Sequence, residues 1–176
     1  MTKLWQKKLL QKTKNLQLSL HRPLRIAILG IGSELNADDG GGVLIALRLI
    51  VDFDMLEPDN LLAVDCGTVP ENFLIPLCRF MPDWVLIIDA GSLDQLPGTI
   101  QCESMQNTDA PGFSTHSLPP SVFSEFLIKE TGCVIDMLLI QPVSVDFCEP
   151  MSNEMNKAIE EVILFLNTLI RSLVDT

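Results

Sequence analysis

Five residues carry the chemistry open to this chain: the adjacent carboxylates Asp38 and Asp39, then Asp65, Asp89 and His116. Two carboxylates and one imidazole make an O,O,N donor set. That set suits a borderline divalent ion such as Ni(II) or Zn(II) and leaves coordination positions open for water or substrate. Without a cation, carboxylates held together repel and one of their pKa values rises. A bound ion relieves the repulsion. The same residues also have plainer uses. Asp38 and Asp39 can serve as first-turn partners of a helix dipole, Asp89 as a strand-end cap and His116 as a hydrogen-bonded loop residue. Residue types alone leave both uses open.

Asp38 and Asp39 stand in the stretch Leu24-Arg-Ile-Ala-Ile-Leu-Gly-Ile-Gly-Ser-Glu-Leu-Asn-Ala-Asp-Asp-Gly-Gly-Gly42. It reads as a buried strand that stops at a Gly-x-Gly turn and restarts as a helix. Such junctions favour anions, because unpaired N–H groups and the positive end of the helix dipole face outward. This one supplies its own negative charge, which points to a cation instead. A dinucleotide fold would need a third glycine where Leu35 stands. Asp65 is placed to meet a ribose hydroxyl, but Glu34, Asp38 and Asp39 would oppose a pyrophosphate. Two like charges ~4 Å apart at an effective dielectric near 20 repel by about 4 kcal/mol. A helix N-terminus returns only about 0.3–1 kcal/mol. Nucleotide or small-molecule binding is therefore the weaker reading.

The elements that must position these side chains alternate along the chain. Residues 24–31 read as a strand, 40–51 as a helix and Leu61–Asp65 as a second strand. Thr68-Val-Pro-Glu71 reads as a capping box opening a helix to Arg79. Trp84–Ala90 is an apolar central strand, Gly98–Glu103 a short edge strand and 107–117 a loop. Pro119 or Pro120 opens a helix through Lys129, Cys133–Gln141 is a further strand, and 153–173 is a closing helix. That last segment puts Met155, Ile159, Val162, Leu166, Leu169 and Leu173 on one face. The alternation predicts a three-layer α/β/α fold with a mostly parallel, twisted sheet of about five strands. Ligands of such sheets sit outside the carboxyl ends of the strands. Asp39, Asp65 and Asp89 each follow or end a strand, so all three are expected on that edge, and His116 leads into a helix from the same side.

Composition bounds the rest. A chain of 176 residues with 47% hydrophobic content suits one domain with a substantial core. No apolar run reaches the ~18 residues of a membrane span, and no secretory signal core is present. Cys66, Cys78, Cys102, Cys133 and Cys148 are scattered and odd in number, which fits reduced thiols in a cytoplasmic protein. Residues 1–25 carry seven Lys or Arg and no acid, within a chain of net charge −11. The remainder is too acidic to favour nucleic acid. Residues 1–23 read as a basic, helical extension, either lying against the acidic body or docking on an acidic partner or membrane surface. Residues 24–176 read as a single α/β domain.

The motifs in their order resemble the hydrogenase maturation endopeptidases. The resemblance rests on Gly30-x-Gly32 leading to Asp38-Asp39-Gly40 and on Asp65-Cys66-Gly67-Thr68 with Pro70-Glu71-Asn72. It continues through Ile87-Ile88-Asp89-Ala90, Pro97-Gly98 and Thr115-His116-Ser117-Leu118-Pro119. Ile140-Gln141-Pro142 followed by Pro150-Met151 is most similar to the hydrogenase-3 subgroup. The resemblance implies a peptidase that trims a C-terminal extension from a [NiFe]-hydrogenase large-subunit precursor once nickel is inserted. It assigns Asp39, Asp89 and His116 as metal-binding and catalytic residues, and Asp38, Asp65, Cys66, Gly67 and Thr68 to substrate contact. Nickel would arrive with the precursor, and zinc or cadmium could take its place in vitro. The protein would act as a monomer. Two positions depart from the family pattern: Ser33 replaces the usual asparagine and Cys66 the usual glycine.

Neither His-Glu-x-x-His nor Gly-x-Ser-x-Gly occurs, so no self-contained zinc protease or serine triad is encoded. Two mechanisms remain: nickel-assisted hydrolysis with His116 as a ligand, or a carboxylate pair sharing a proton. A non-catalytic nickel-binding assembly factor would use the same ligands without cutting.

Overall fold

The computed structural model describes residues 2–54, 59–105 and 120–174. The chain begins with helix α1 (Leu4–Ser19), strand β1 (Ile26–Gly30), a 3-10 turn (Ala37–Gly40) and helix α2 (Gly41–Asp54). Strand β2 (Leu61–Asp65), a 3-10 turn (Pro70–Phe73), helix α3 (Leu74–Phe80) and strand β3 (Trp84–Ala90) follow. Strand β4 (Ile100–Ser104), helix α4 (Pro120–Thr131), strand β5 (Val134–Ile140) and helix α5 (Asn153–Val174) complete it.

All five residues of β1 are buried, as an uninterrupted apolar strand must be when helices cover both its faces. The sheet order is β2-β1-β3-β5-β4, parallel except for β4, which pairs antiparallel with β5 at the edge. From β1 the chain steps outward to β2, then crosses back to β3 on the other side. The boundary between β1 and β3 is therefore the point where the connections diverge, the place where sheets of this kind hold a ligand crevice at the carboxyl edge.

Strand alternation sorts the core into two layers. Ile26, Ile28, Trp84, Leu86, Ile88, Leu138 and Ile140 pack with residues of α1, α2 and α5. Ala27, Leu29, Val85, Ile87, Ile135 and Met137 pack on the opposite face with Leu77 of α3 and with Phe123 and Leu127 of α4. This is the three-layer arrangement the periodicity implies. In α5, Met155, Ile159, Val162, Leu166 and Leu169 are buried, the stripe the sequence marks.

Two local expectations change. Thr68 and Glu71 do not form a capping box: Pro70 takes the first position of the 3-10 turn, which makes Val69 the N-cap, and Val69 has no side-chain acceptor. The fixed φ of proline thus moves the start one residue past Thr68, and α3 begins only at Leu74. The helix expected from residue 40 opens instead with the 3-10 turn that contains Asp38 and Asp39. The expected 107–117 loop lies outside the described residues.

The basic N-terminal helix packs on the sheet. Trp5 and Leu9 of α1 are buried in the same layer as α5, and Trp5 meets Phe165 edge to face at 4.9 Å between ring centroids. Its lysines find partners on the acidic body. Lys12 Nζ lies 3.3 Å from Oδ1 of Asp136 on β5, and Lys8 Nζ donates to the Cys102 carbonyl at 2.7 Å. Asp136 is itself buried and also accepts a hydrogen bond from Trp84 Nε1 at 2.9 Å, so Lys12 supplies the countercharge this carboxylate needs. Among the described residues, no helix is long and apolar enough to cross a membrane.

Candidate functional site at the carboxyl edge

The crevice is built by close backbone approach. A Cβ on Gly42, in the first turn of α2, would lie 2.2 Å from the Ile88 carbonyl oxygen of β3, so only glycine lets the helix start reach the strand end. Gly32 adopts φ 129°, a conformation that L side chains rarely take, and its N–H donates to the Gly67 carbonyl at 2.9 Å. The turn after β1 is thereby pinned to the loop after β2. Ile31 N–H donates to the Ile88 carbonyl at 2.9 Å and ties the same turn to β3.

These constraints bring Asp39 to Asp89. Asp39, partly exposed in the 3-10 turn, accepts a hydrogen bond from the Ser33 N–H at 2.8 Å through Oδ2. Burial raises its pKa above the usual carboxylate value, and the Ser33 N–H works in the opposite sense. Asp89 ends β3. Burial pushes its carboxyl up to about 7, the charge of Asp39 adds to the rise, and the Ala90 N–H offsets part of it. Two carboxylates thus share one desolvated crevice, and the cheaper state at neutral pH keeps a proton or takes up a cation.

Asp65 is on the same edge but apart. It pairs in register with Gly30, on the far side of β1 from β3, where Ile88 pairs with Gly30. Two strand spacings place its backbone roughly 10 Å from that of the Asp89 strand. Its Oδ1 accepts from the Gly67 N–H at 2.9 Å and closes the turn of its own loop. In that loop Thr68 is exposed, whereas Cys66 is 2% exposed in the core. Burial and neighbouring Asp65 push the Cys66 thiol up to about 12, so it stays protonated, and its N–H holds the Gly30 carbonyl at 2.9 Å. Gly67, at φ 52°, has open space where a Cβ would stand. His116 lies outside the described residues.

Asp38 takes a place no local pattern marks. It is 1% exposed, and its oxygens accept from Val143 N–H, Ser152 N–H and Ser152 Oγ at 2.7, 2.7 and 2.8 Å. The adjacent acids therefore face opposite ways, Asp38 into the protein and Asp39 into the crevice. Sequence reasoning missed Ser152 altogether and missed the bond that Ser33 makes to Asp39. Ser33 acts through its backbone N–H, so its departure from the family pattern leaves the bond to Asp39 unaffected. Ser152 precedes α5 and its Oγ accepts from Met155 N–H at 3.0 Å, a capping arrangement that the Ser-x-x start of the helix could have signalled.

The protonation of Asp89 has a measurable consequence for folding. Its folded pKa near 7 exceeds the unfolded value near 3.8, so the native state alone holds the proton between those values. Stability contributed by this group is complete below pH 4 and is lost as pH rises through 7. The full difference is on the order of 4 kcal/mol. Asp89→Asn should remove this slope. Urea unfolding without added metal should show the variant gaining on the wild type as pH rises from 4.5 to 8, and parallel pH profiles would refute the assignment.

The chain is similar to known proteins along most of its length. A family model described as hydrogenase maturation protease matches residues 49–168. A putative hydrogenase maturation protease of Methanocaldococcus jannaschii is 33% identical over 166 residues, covering 92% of each chain. The hydrogenase 3 maturation protease of Escherichia coli is 29% identical over 136 residues, covering 77% of this chain and 84% of that one. Among solved structures, a [NiFe] hydrogenase maturation protease from Thermococcus kodakarensis superposes with a TM-score of 0.75 at 27% identity, over 92% of this chain and 99% of its own.

Proposed function

Because the chain belongs to the hydrogenase maturation protease family, a family of endopeptidases, we propose that its substrate is a nickel-loaded [NiFe]-hydrogenase large-subunit precursor. It removes the C-terminal extension, and the nickel carried by that precursor docks on Asp39, Asp89 and His116. The supporting observation is the Asp39–Asp89 pair. Two carboxylates converge at the divergence point of the sheet, and burial, with the charge of Asp39 added, pushes the Asp89 carboxyl up to about 7. A divalent ion presented by a substrate supplies a countercharge. The docked nickel then certifies that insertion is complete and places the scissile carbonyl beside a Lewis acid.

Helix α4 leads into β5 through Gly132 and Cys133, so its first residue, Pro120, belongs toward the carboxyl edge, and His116 precedes it by four residues in the sequence. In the hydrolytic step, water oxygen bonds to the scissile carbonyl carbon, the C–N bond breaks and a proton passes to the leaving amine. Without a bound ion Asp89 is a carboxyl raised to about 7 by burial and by the charge of Asp39, so a proton-exchanging role belongs to the reading in which it is not a nickel ligand.

The same pair also favours a second reading, in which Asp39 and Asp89 share one proton and activate water without nickel's help. Both readings require cutting. Incubating the protein with a nickel-loaded precursor should yield a shorter product by intact mass. A precursor of unchanged mass that nonetheless binds tightly would mark an assembly factor instead. Indifference to nickel loading would favour the proton-sharing pair.

A further inference from the structure

Asp38 is buried and accepts three hydrogen bonds, yet it faces away from the crevice. We propose that Asp38 is a positioning residue for the reaction: it latches the turn that carries Asp39 to the segment between β5 and α5, so that Asp39 is held in place before substrate arrives. This rests on the proteolytic reading above and goes beyond it, since Asp38 contacts neither nickel nor peptide in this scheme.

The latch spans distant parts of the chain. Asp38 N–H donates to the Ser144 carbonyl at 3.1 Å, and its carboxylate accepts from Val143 N–H at 2.7 Å. Ser152 donates twice, through its N–H and its hydroxyl. Because Ser152 Oγ already accepts from Met155 N–H, its hydroxyl hydrogen is directed to Asp38. Asp38 thus sits at the N-terminus of the 22-residue α5, where the helix dipole favours a carboxylate. A further bond, Cys148 N–H to the Leu35 carbonyl at 2.8 Å, closes the other end of the same two loops.

Strain is stored beside the latch. Ala37, immediately before Asp38, has φ 48°, and Cys148 has φ 61°. Neither conformation is favoured without glycine, so surrounding bonds must impose it. Rotation of successive residues in the 3-10 turn sends Asp38 inward and Asp39 outward. Fixing Asp38 therefore sets the angle at which Asp39 meets Asp89. An error of about 1 Å in such placement costs on the order of 100-fold in rate.

Asp38→Asn tests this. The amide preserves shape but turns a donor toward groups that are all donors. With the nickel-loaded precursor, kcat should fall roughly 10- to 100-fold. Amide hydrogen exchange should accelerate together at 33–39 and 143–152 while β1, β3 and β5 stay protected. If Asp38→Asn fails to fold, Ser152→Ala removes one of the three bonds and should give the same paired exchange with a smaller kcat loss, whereas Ser152→Thr, which keeps the hydroxyl, should restore both. Wild-type kcat in a folded variant with loosened loops would overturn the proposal, as would acceleration in one loop without the other. Wild-type protein that leaves the precursor uncut would defeat the proteolytic reading instead, and the exchange result would still show whether the latch exists.

Discussion

Alanine at Asp39, Asp89 or His116 should each reduce cleavage of a nickel-loaded precursor by roughly 10³-fold, the scale expected when a positioned acid–base group or a metal contact is lost. The three variants separate the two mechanisms. If nickel docks on all three side chains, His116→Ala is as damaging as either aspartate change. If Asp39 and Asp89 work as a proton-sharing pair, His116→Ala retains activity within about tenfold of wild type, less than the usual worth of a catalytic base. Asp89→Ala carries its own control. Because burial and the Asp39 charge make the ionised Asp89 unfavourable, removing it should leave the fold at least as stable at pH 8. Loss of activity with a raised unfolding midpoint then identifies a functional site, since natural sites tolerate such strain for the sake of chemistry. Stopped-time mass analysis at saturating precursor and a urea titration of each variant supply both measurements.

The second large effect concerns α1. Trp5→Ala and Leu9→Ala lie on one face of the helix, and both side chains are buried against the sheet layer that holds α5. A buried tryptophan truncated to alanine costs about 3–5 kcal/mol, and a buried leucine about 2–5 kcal/mol. Domains of this kind are stable by only about 5–15 kcal/mol, so the double variant should be largely unfolded at 37 °C. Residues one turn apart share a cavity, and the two losses will not add simply. Deleting residues 1–20 should have the same outcome, because it removes Trp5 and Leu9 from the core layer they share with α5 and leaves buried Asp136 without Lys12. A chain lacking residues 1–20 that unfolds cooperatively at the wild-type urea concentration would disprove this. Circular dichroism on the two chains decides it.

The contrast between α1 and the acid pair shows where sequence reasoning reaches its limit. For α1 the helix is legible in Trp5, Leu9 and Leu16, but its destination is not. Seven basic residues before position 26 read as an extension lying against the acidic body or docking on an acidic partner or membrane surface, and α1 takes the first course, but as a buried part of the core. The carboxylate that draws Lys12 inward, Asp136, lies in the middle of an apolar strand 124 residues away. No local pattern connects them. The capping box at Thr68–Glu71 fails for a smaller reason: Pro70, two residues later, claims the first position of the turn and moves the N-cap by one, to Val69.

The sequence by itself determined the alternation of strands and helices, the layered fold, and the placing of Asp39, Asp65 and Asp89 along one edge. Periodicity of two and of 3.6 encodes which faces are buried, and parallel strands send all their carboxyl ends the same way. Only the tertiary structure decided which of those acids meet. Asp39 joins Asp89 because β1 and β3 are neighbours and Gly42 admits the closest approach between α2 and β3, whereas Asp65 is carried to the far side of β1. It alone decided that Asp38 turns inward, since its partners at 143 and 152 lie more than a hundred residues away. Adjacent residues look alike to any local rule. Their burial depends on what the rest of the chain brings against them.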